Sequence, residues 1–145
     1  MGEGENHISR YFGHIANQYQ AYREKQLAPY GVGRGDFQIL HQLILHERPM
    51  HLGEIAMRTK TDRALIGRSA KRLVEKELII IQDNPFHKTK KDAVLTEKGR
   101  EIALALKQAT LDWELKAEQY LEPEERDVFF EMLGKVYRAC EEMDS

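Results

Sequence analysis

The sequence predicts a mainly α fold with a small β-hairpin wing, on three observations. Apolar residues recur at three- and four-residue steps over six separate stretches. Charged residues make up 32% of the chain and apolar ones 41%, a balance suited to helices that each bury one face. Only two β-branched runs read as strands, "LIIIQ" at Leu78–Gln82 and "AVLT" at Ala93–Thr96. At 145 residues, a single compact chain is expected.

The first helix is expected over residues 6–29, where Ile8, Tyr11, Phe12, Ile15, Tyr19 and Tyr22 share a face. Asn6 or Ser9 would cap its start, and Pro29 and Gly31 end it. So wide an apolar stripe on a terminal helix needs a covering surface. "GVGRGD", Gly31 to Asp36, reads as a turn. No strand precedes its glycines and no Lys-Ser/Thr follows them, so it is not a phosphate loop. Asp36 is expected to cap a helix over 36–47 with Phe37, Leu40, Leu43 and Ile44 inward. After Pro49, a short helix over 52–59 turns Leu52, Ile55 and Ala56 inward. A further helix over 62–76 follows, with Asp62 at its N-cap or first turn. Two helices joined by a tight turn form a helix-turn-helix pattern.

The two strands follow, around "DNPFHKTKKD", where Asn84-Pro85 is a turn signal. They form a hairpin directly behind the second helix, hence a wing. Thr96 is expected to cap a helix over 97–121 with the stripe Ile102, Leu106, Ala109, Trp113, Ala117 and Tyr120. Pro123 opens the last helix, 123–142, with Phe129, Met132, Leu133, Val136, Tyr137 and Cys140 on one face.

Charge is unevenly spread. The net charge is −2. From Leu52 to Lys91, ten basic residues face five acidic ones, a local +5. From Asp112 to Ser145, eleven acids face four bases, a local −7. One lobe is therefore expected to meet a polyanion. Placed at 100° per residue, Ile66, Ser69, Ala70 and Leu73 of the basic helix face inward, and Ala64, Arg68 and Lys71 face outward. Leu65 and Arg72 flank one edge; Arg63 and Gly67 flank the other. Small residues between long cations suit close approach to a DNA major groove. A solvated charged face is the alternative for the helix alone. The hairpin tip adds His87, Lys88, Lys90 and Lys91, which can follow a backbone or enter a minor groove.

"DRALIGRSAKRLVEKELI", "AVLTEKG" and "YGVGRGDFQILHQL", in that arrangement, resemble the MarR-type winged helix-turn-helix regulators over nearly the whole chain. The resemblance implies a winged helix-turn-helix lobe at 35–96 and a helical dimerisation base built from 1–31 and 97–145. It implies a cytoplasmic homodimer that binds a pseudo-palindromic operator on double-stranded DNA, as a repressor relieved by a small phenolic or anionic effector. By position, Arg63, Ala64, Leu65, Arg68 and Arg72 match the family's recognition helix; with Thr61, Lys71 and, from the wing, His87, Lys88, Lys90 and Lys91, they make up the expected DNA-binding set. The implied effector contacts are Tyr11, His14, Ile15, Phe37, His41 and Arg63. Four positions depart from the family pattern. Lys71 stands where an acid is common, Glu77 replaces a glycine, and His87 and Thr89 stand where the wing carries an Asp-x-Arg pair. Lysine lacks the planar fork of that arginine.

Other classes are not expected. Cys140 is the single cysteine, which leaves no intrachain disulfide and no cysteine zinc cluster. It is expected as a buried structural thiol. The first helix has no cysteine for peroxide sensing. His41 and His46 are five apart and share no helical face, so no metal or other cofactor is expected. No nucleophile elbow, metal-hydrolase motif or nucleotide loop marks an enzyme. No run of about 18 apolar residues marks a membrane span. No signal-peptide core is present, and Asn6 stands where a lipidated Gly2 would need Ser or Thr. The missing wing arginine favours one alternative, a winged-helix protein-interaction module that does not read DNA.

Overall fold

A computed structural model describes residues 6–144, so Gly2 lies outside the described residues. The described elements are α1 (Ile8–Leu27), a 3-10 turn (Ala28–Tyr30), α2 (Arg34–His46), β1 (Met50–His51), α3 (Leu52–Thr59), α4 (Arg63–Glu75), β2 (Ile79–Asp83), β3 (Lys91–Leu95), α5 (Glu97–Ala117) and α6 (Pro123–Met143). The chain divides into two compact units at Thr110–Leu111, with α5 passing from one into the other.

In the first unit, α2, α3 and α4 pack on a three-stranded antiparallel sheet of order β1-β3-β2. Ile39, Leu40, Ile44, Met50, Ile55, Ile66, Leu73, Leu78 and Ile79 are fully buried. Burying a side chain of this size contributes roughly 1.5–3 kcal/mol, so these residues hold the lobe together. β1 is unforeseen in the sequence. It has only two residues, and its place comes from Met50 pairing Ala93 and His51 pairing Asp92. The wing ladder runs from Ile79–Leu95 out to Asp83–Lys91, which shortens the connecting loop to residues 84–90.

The helix starts follow local hydrogen bonding. Asp62 caps α4, accepting from the N–H of Ala64 at 2.7 Å and of Leu65 at 3.2 Å. Thr96 Oγ1 accepts from Gly99 N–H at 3.0 Å at the head of α5. Two expected caps are corrected. α1 begins after His7 without a side-chain cap, so neither Asn6 nor Ser9 serves. α2 begins at Arg34, two residues before Asp36. Asp36 sits in the first turn and reaches back, its Oδ2 accepting from Gly33 N–H at 2.9 Å. α5 stops at Ala117 rather than 121. Pro123 forces Glu122 into extended backbone, so the chain turns before it, and Tyr120 leaves the expected stripe for solvent.

α4 ends in a Schellman turn. Leu78 N–H donates to Leu73 O at 2.9 Å and Glu77 N–H to Val74 O at 3.0 Å. Glu77 takes φ +60°, the left-handed conformation that costs a residue with a Cβ roughly 1–2 kcal/mol. Glu77→Gly is therefore expected to stabilise the protein by about 0.5–1 kcal/mol, after glycine's own entropy is subtracted. Urea denaturation checks it; an unchanged midpoint counts against the strain.

In the second unit, α6 buries no residue completely. Leu133 and Val136 are half-buried, and Phe129, Met132 and Tyr137 are exposed. Arg126 lies 4.6 Å over the Phe130 ring and 3.3 Å from Glu118. Cys140 is free and exposed, not buried as expected. The helical spacing was right, but the single chain does not cover that face.

Candidate nucleic-acid interface

The inward face of α4 is the expected one: Ile66, Ser69, Ala70 and Leu73 are all buried. That leaves Arg63, Ala64, Arg68 and Lys71 exposed, with Leu65 and Gly67 half-buried beside them. Neither Arg68 nor Lys71 makes an ion pair among the described residues. Thr61 lies in the turn, its Oγ1 donating to Thr59 O at 3.3 Å.

Arg72 is engaged internally. Its Nη2 donates to Asp36 Oδ1 at 3.1 Å and Ser69 Oγ at 3.0 Å. Asp36 is only 1% exposed. One carboxylate thus caps α2 with one oxygen and holds α4 with the other. Gly35 lets the two helices come this close, because a Cβ there would stand 2.2 Å from Ser69 Oγ. Sequence reading missed this link, since Asp36 and Arg72 are 36 residues apart.

The wing tip is built on Asn84. Its Oδ1 accepts from Phe86 N–H at 2.8 Å and His87 N–H at 3.1 Å. Its Nδ2 donates to both oxygens of the buried Asp92, at 3.3 and 3.2 Å. Lys91 is paired with Asp83. Lys88 and Lys90 are exposed and unpaired among the described residues. Between wing and helices runs an open groove of about 740 Å³, lined by Arg48, His51, Arg63, Asn84, His87 and Lys90 among others. Arg48 is neutralised by Glu54, at 3.1 and 2.7 Å. Those hydrogen bonds, with help from Arg58, hold the Glu54 carboxyl down at about 2. His51 is also committed, its Nδ1 accepting from Gly53 N–H at 3.0 Å to cap α3. The cations left to the groove are Arg63 and Lys90, with the His87 ring beside them.

The six residues considered for an effector do not converge within one chain. Phe37 and His41 stack, ring centroids 5.2 Å apart. Burial, then the nearby Arg23, lowers the His41 pKa and favours neutral imidazole. Tyr11, His14 and Ile15 lie on the exposed face of α1, and Arg63 lines the wing groove. Arg23, unnoticed in the sequence, lies 3.9 Å over the Phe37 ring, and its buried Nη2 has no hydrogen-bond partner. Only helical spacing from Tyr19 could have pointed to it. The space beside it, near Tyr22, Leu106 and Thr110, is about 10 Å³, room for one water at most.

Among the described residues, no cluster of three His, Cys, Asp or Glu could hold a metal ion. No described helix is long and apolar enough to cross a membrane.

Residues 30–88 match the model of the MarR family. No curated protein matches the sequence. Among solved structures, the MepR–DNA complex of S. aureus superposes with a TM-score of 0.83 at 18% identity, over 93% of this chain and 99% of that one. A putative MarR-family transcriptional regulator from Listeria monocytogenes, complexed with a 26mer DNA, gives 0.82 at 22% identity, over 92% and 89%. A MarR transcriptional regulator from Methanosarcina mazei Go1 gives 0.78 at 20%, over 94% and 97%.

Proposed function

We propose, from a chain whose residues 30–88 match the model of the MarR family, that it is a cytoplasmic, homodimeric MarR-type transcriptional repressor that binds double-stranded DNA. The observation that carries the reading is the outward row Ala64, Arg68 and Lys71, exposed on a helix whose opposite face is fully buried. That helix is positioned from behind by the Asp36–Arg72 pair, so its outer side is preorganised for a major groove. Two of the structural relatives are complexes with DNA.

Within this reading the lobe at 35–96 reads DNA, and 1–31 with 97–145 form the dimerisation base. Ile8, Tyr11, Phe12 and Ile15 on α1 are exposed, as are Phe129, Met132 and Tyr137 on α6. Rows of this size are normally covered, and a second copy would cover them. Two α4 helices then enter successive major grooves, roughly 34–36 Å apart. Arg68 and Lys71 reach base edges and phosphates, Arg63 and Thr61 the flanking backbone. Arg72 steadies the helix. Binding of a small phenolic or other anion between the dimerisation base and the lobe would shift the lobe spacing and release the operator. The buried, unpartnered Arg23 Nη2 is the group in this chain that favours an anionic ligand.

The test is selection of DNA from a random pool, and from the chain's own promoter region, by the full-length protein. A folded dimer that retains no DNA at low salt sinks the reading. A monomer that binds a protein instead would favour the interaction-module alternative, which the uncharged Thr89 on the wing supports. On the selected site, Arg68→Ala is expected to cost about 1–3 kcal/mol and relax one base position. Lys88→Ala with Lys90→Ala is expected to lower the salt slope by roughly two. Lys91 adds little, since Asp83 already neutralises it. An unchanged slope in fluorescence titrations at several salt concentrations would take the wing lysines off the phosphates.

A further inference from the structure

Phe86 stands at the end of the wing, 88% exposed. The backbone beneath it is set before any partner arrives. Asn84 Oδ1 accepts from the Phe86 and His87 N–H groups, Lys90 N–H donates to His87 O at 3.0 Å, and Asn84 N–H donates to Lys90 O at 3.1 Å. Asn84 is itself anchored to buried Asp92, and Pro85 restricts the residue next to Phe86. A single exposed phenylalanine is ordinary on a protein surface. This one caps a rigid projection whose other exposed side chains include His87 and the cations Lys88 and Lys90, on the same lobe as the outward face of α4. Cations that hold phosphates around a projecting apolar ring are the arrangement by which side chains wedge into a minor groove and unstack a base step.

We propose that Phe86 is a minor-groove wedge, inserted at one base step of each half-site. The proposal rests on the DNA-binding reading above. It gives the wing a means of selecting sequence without an arginine. Phe86 would favour steps that open easily, the pyrimidine–purine steps TA and CA/TG, through their deformability rather than through hydrogen bonds.

The test uses full-length protein and the DNA that the wild type selects, with 2-aminopurine placed at each step under the wing and a dye pair reporting the bend. Wild-type binding is expected to raise 2-aminopurine fluorescence at one step per half-site and to bend the duplex. Phe86→Ala is expected to abolish the fluorescence rise and weaken affinity about tenfold, with the salt slope unchanged. Phe86→Leu is expected to keep most of both, since a branched apolar side chain still wedges. Unaltered affinity in Phe86→Ala overturns the proposal. So does weaker affinity with an undiminished fluorescence rise and bend, which would make the ring a surface contact only. If the wild type selects no DNA at all, the DNA-binding reading itself has failed, an outcome separate from either of these.

Discussion

Gly99→Ala is expected to destabilise the protein by about 3 kcal/mol or more, because the added methyl has no space. Gly99 lies in the first turn of α5, and a Cβ there would stand 1.8 Å from the carbonyl oxygen of Leu78 and 2.8 Å from its carbon. The obstacle is backbone, so no side-chain rotation relieves it. The same segment is tied to the head of α5 by Thr96 N–H, which donates to Leu78 O at 3.1 Å, and by Thr96 Oγ1, which donates to the preceding carbonyl, Glu77 O, at 2.7 Å. Moving α5 away to admit the methyl loosens both bonds and the seat of Leu78, which is fully buried. Helix propensity predicts the opposite sign, a gain of roughly 0.8–1 kcal/mol for alanine over glycine. The direction of the change in urea denaturation therefore decides between packing and propensity. A raised midpoint would show that α5 does not approach β2 this closely.

The second large effect is expected at Asp36. Asp36→Ala should cost about 2–4 kcal/mol, since it deletes a helix cap and one side of a part-buried ion pair together. The loss of the Gly33 N–H acceptor accounts for roughly 1 kcal/mol. The rest comes from Arg72, which loses its carboxylate partner and keeps only the Ser69 hydroxyl. Arg72 is 45% exposed and can turn to water, which keeps the cost below that of a fully buried charge. Asp36→Asn retains an oxygen for Gly33 and should cost about half as much. A double-mutant cycle with Arg72→Ala isolates the pair and is expected to show a coupling of about 1 kcal/mol. Additive effects would mean that Asp36 acts through the cap alone. Under the DNA-binding reading proposed above, a weaker hold on α4 should also lower DNA affinity more than the stability loss explains, as Arg68 and Lys71 lose their fixed aim.

The faces of the helices were legible because they depend on spacing along the chain. Ile66, Ser69, Ala70 and Leu73 were assigned inward on a 100° wheel, and all four are buried. Asp62 and Thr96 were placed as caps and serve as caps, since a cap bonds within three residues. The wing was legible from two β-branched runs and Asn84-Pro85. Its detail was not, because the length of the ladder depends on Asp83 meeting Lys91 across the hairpin. Cys140 was misplaced for a related reason. Periodicity finds a helix's apolar face but does not say what covers it. The effector residues were grouped by chemistry, and how far Tyr11 on exposed α1 stands from the Phe37–His41 stack is set by packing, which spacing does not report.

Spacing along the chain was enough to set the order of the helices and the wing, the outward face of α4 and the concentration of positive charge in the middle of the chain. Each follows from interactions between residues a few positions apart. Long-range packing makes Met50–His51 a strand, brings Asp36 to Arg72, presses Gly99 onto Leu78 and lays Arg23 over Phe37 with a nitrogen unpaired. Each of these joins residues from 14 to 43 positions apart, by the numbering of the chain. Such contacts form when helices and sheet close on one core, and the burial that brings them together leaves no periodic mark in the sequence.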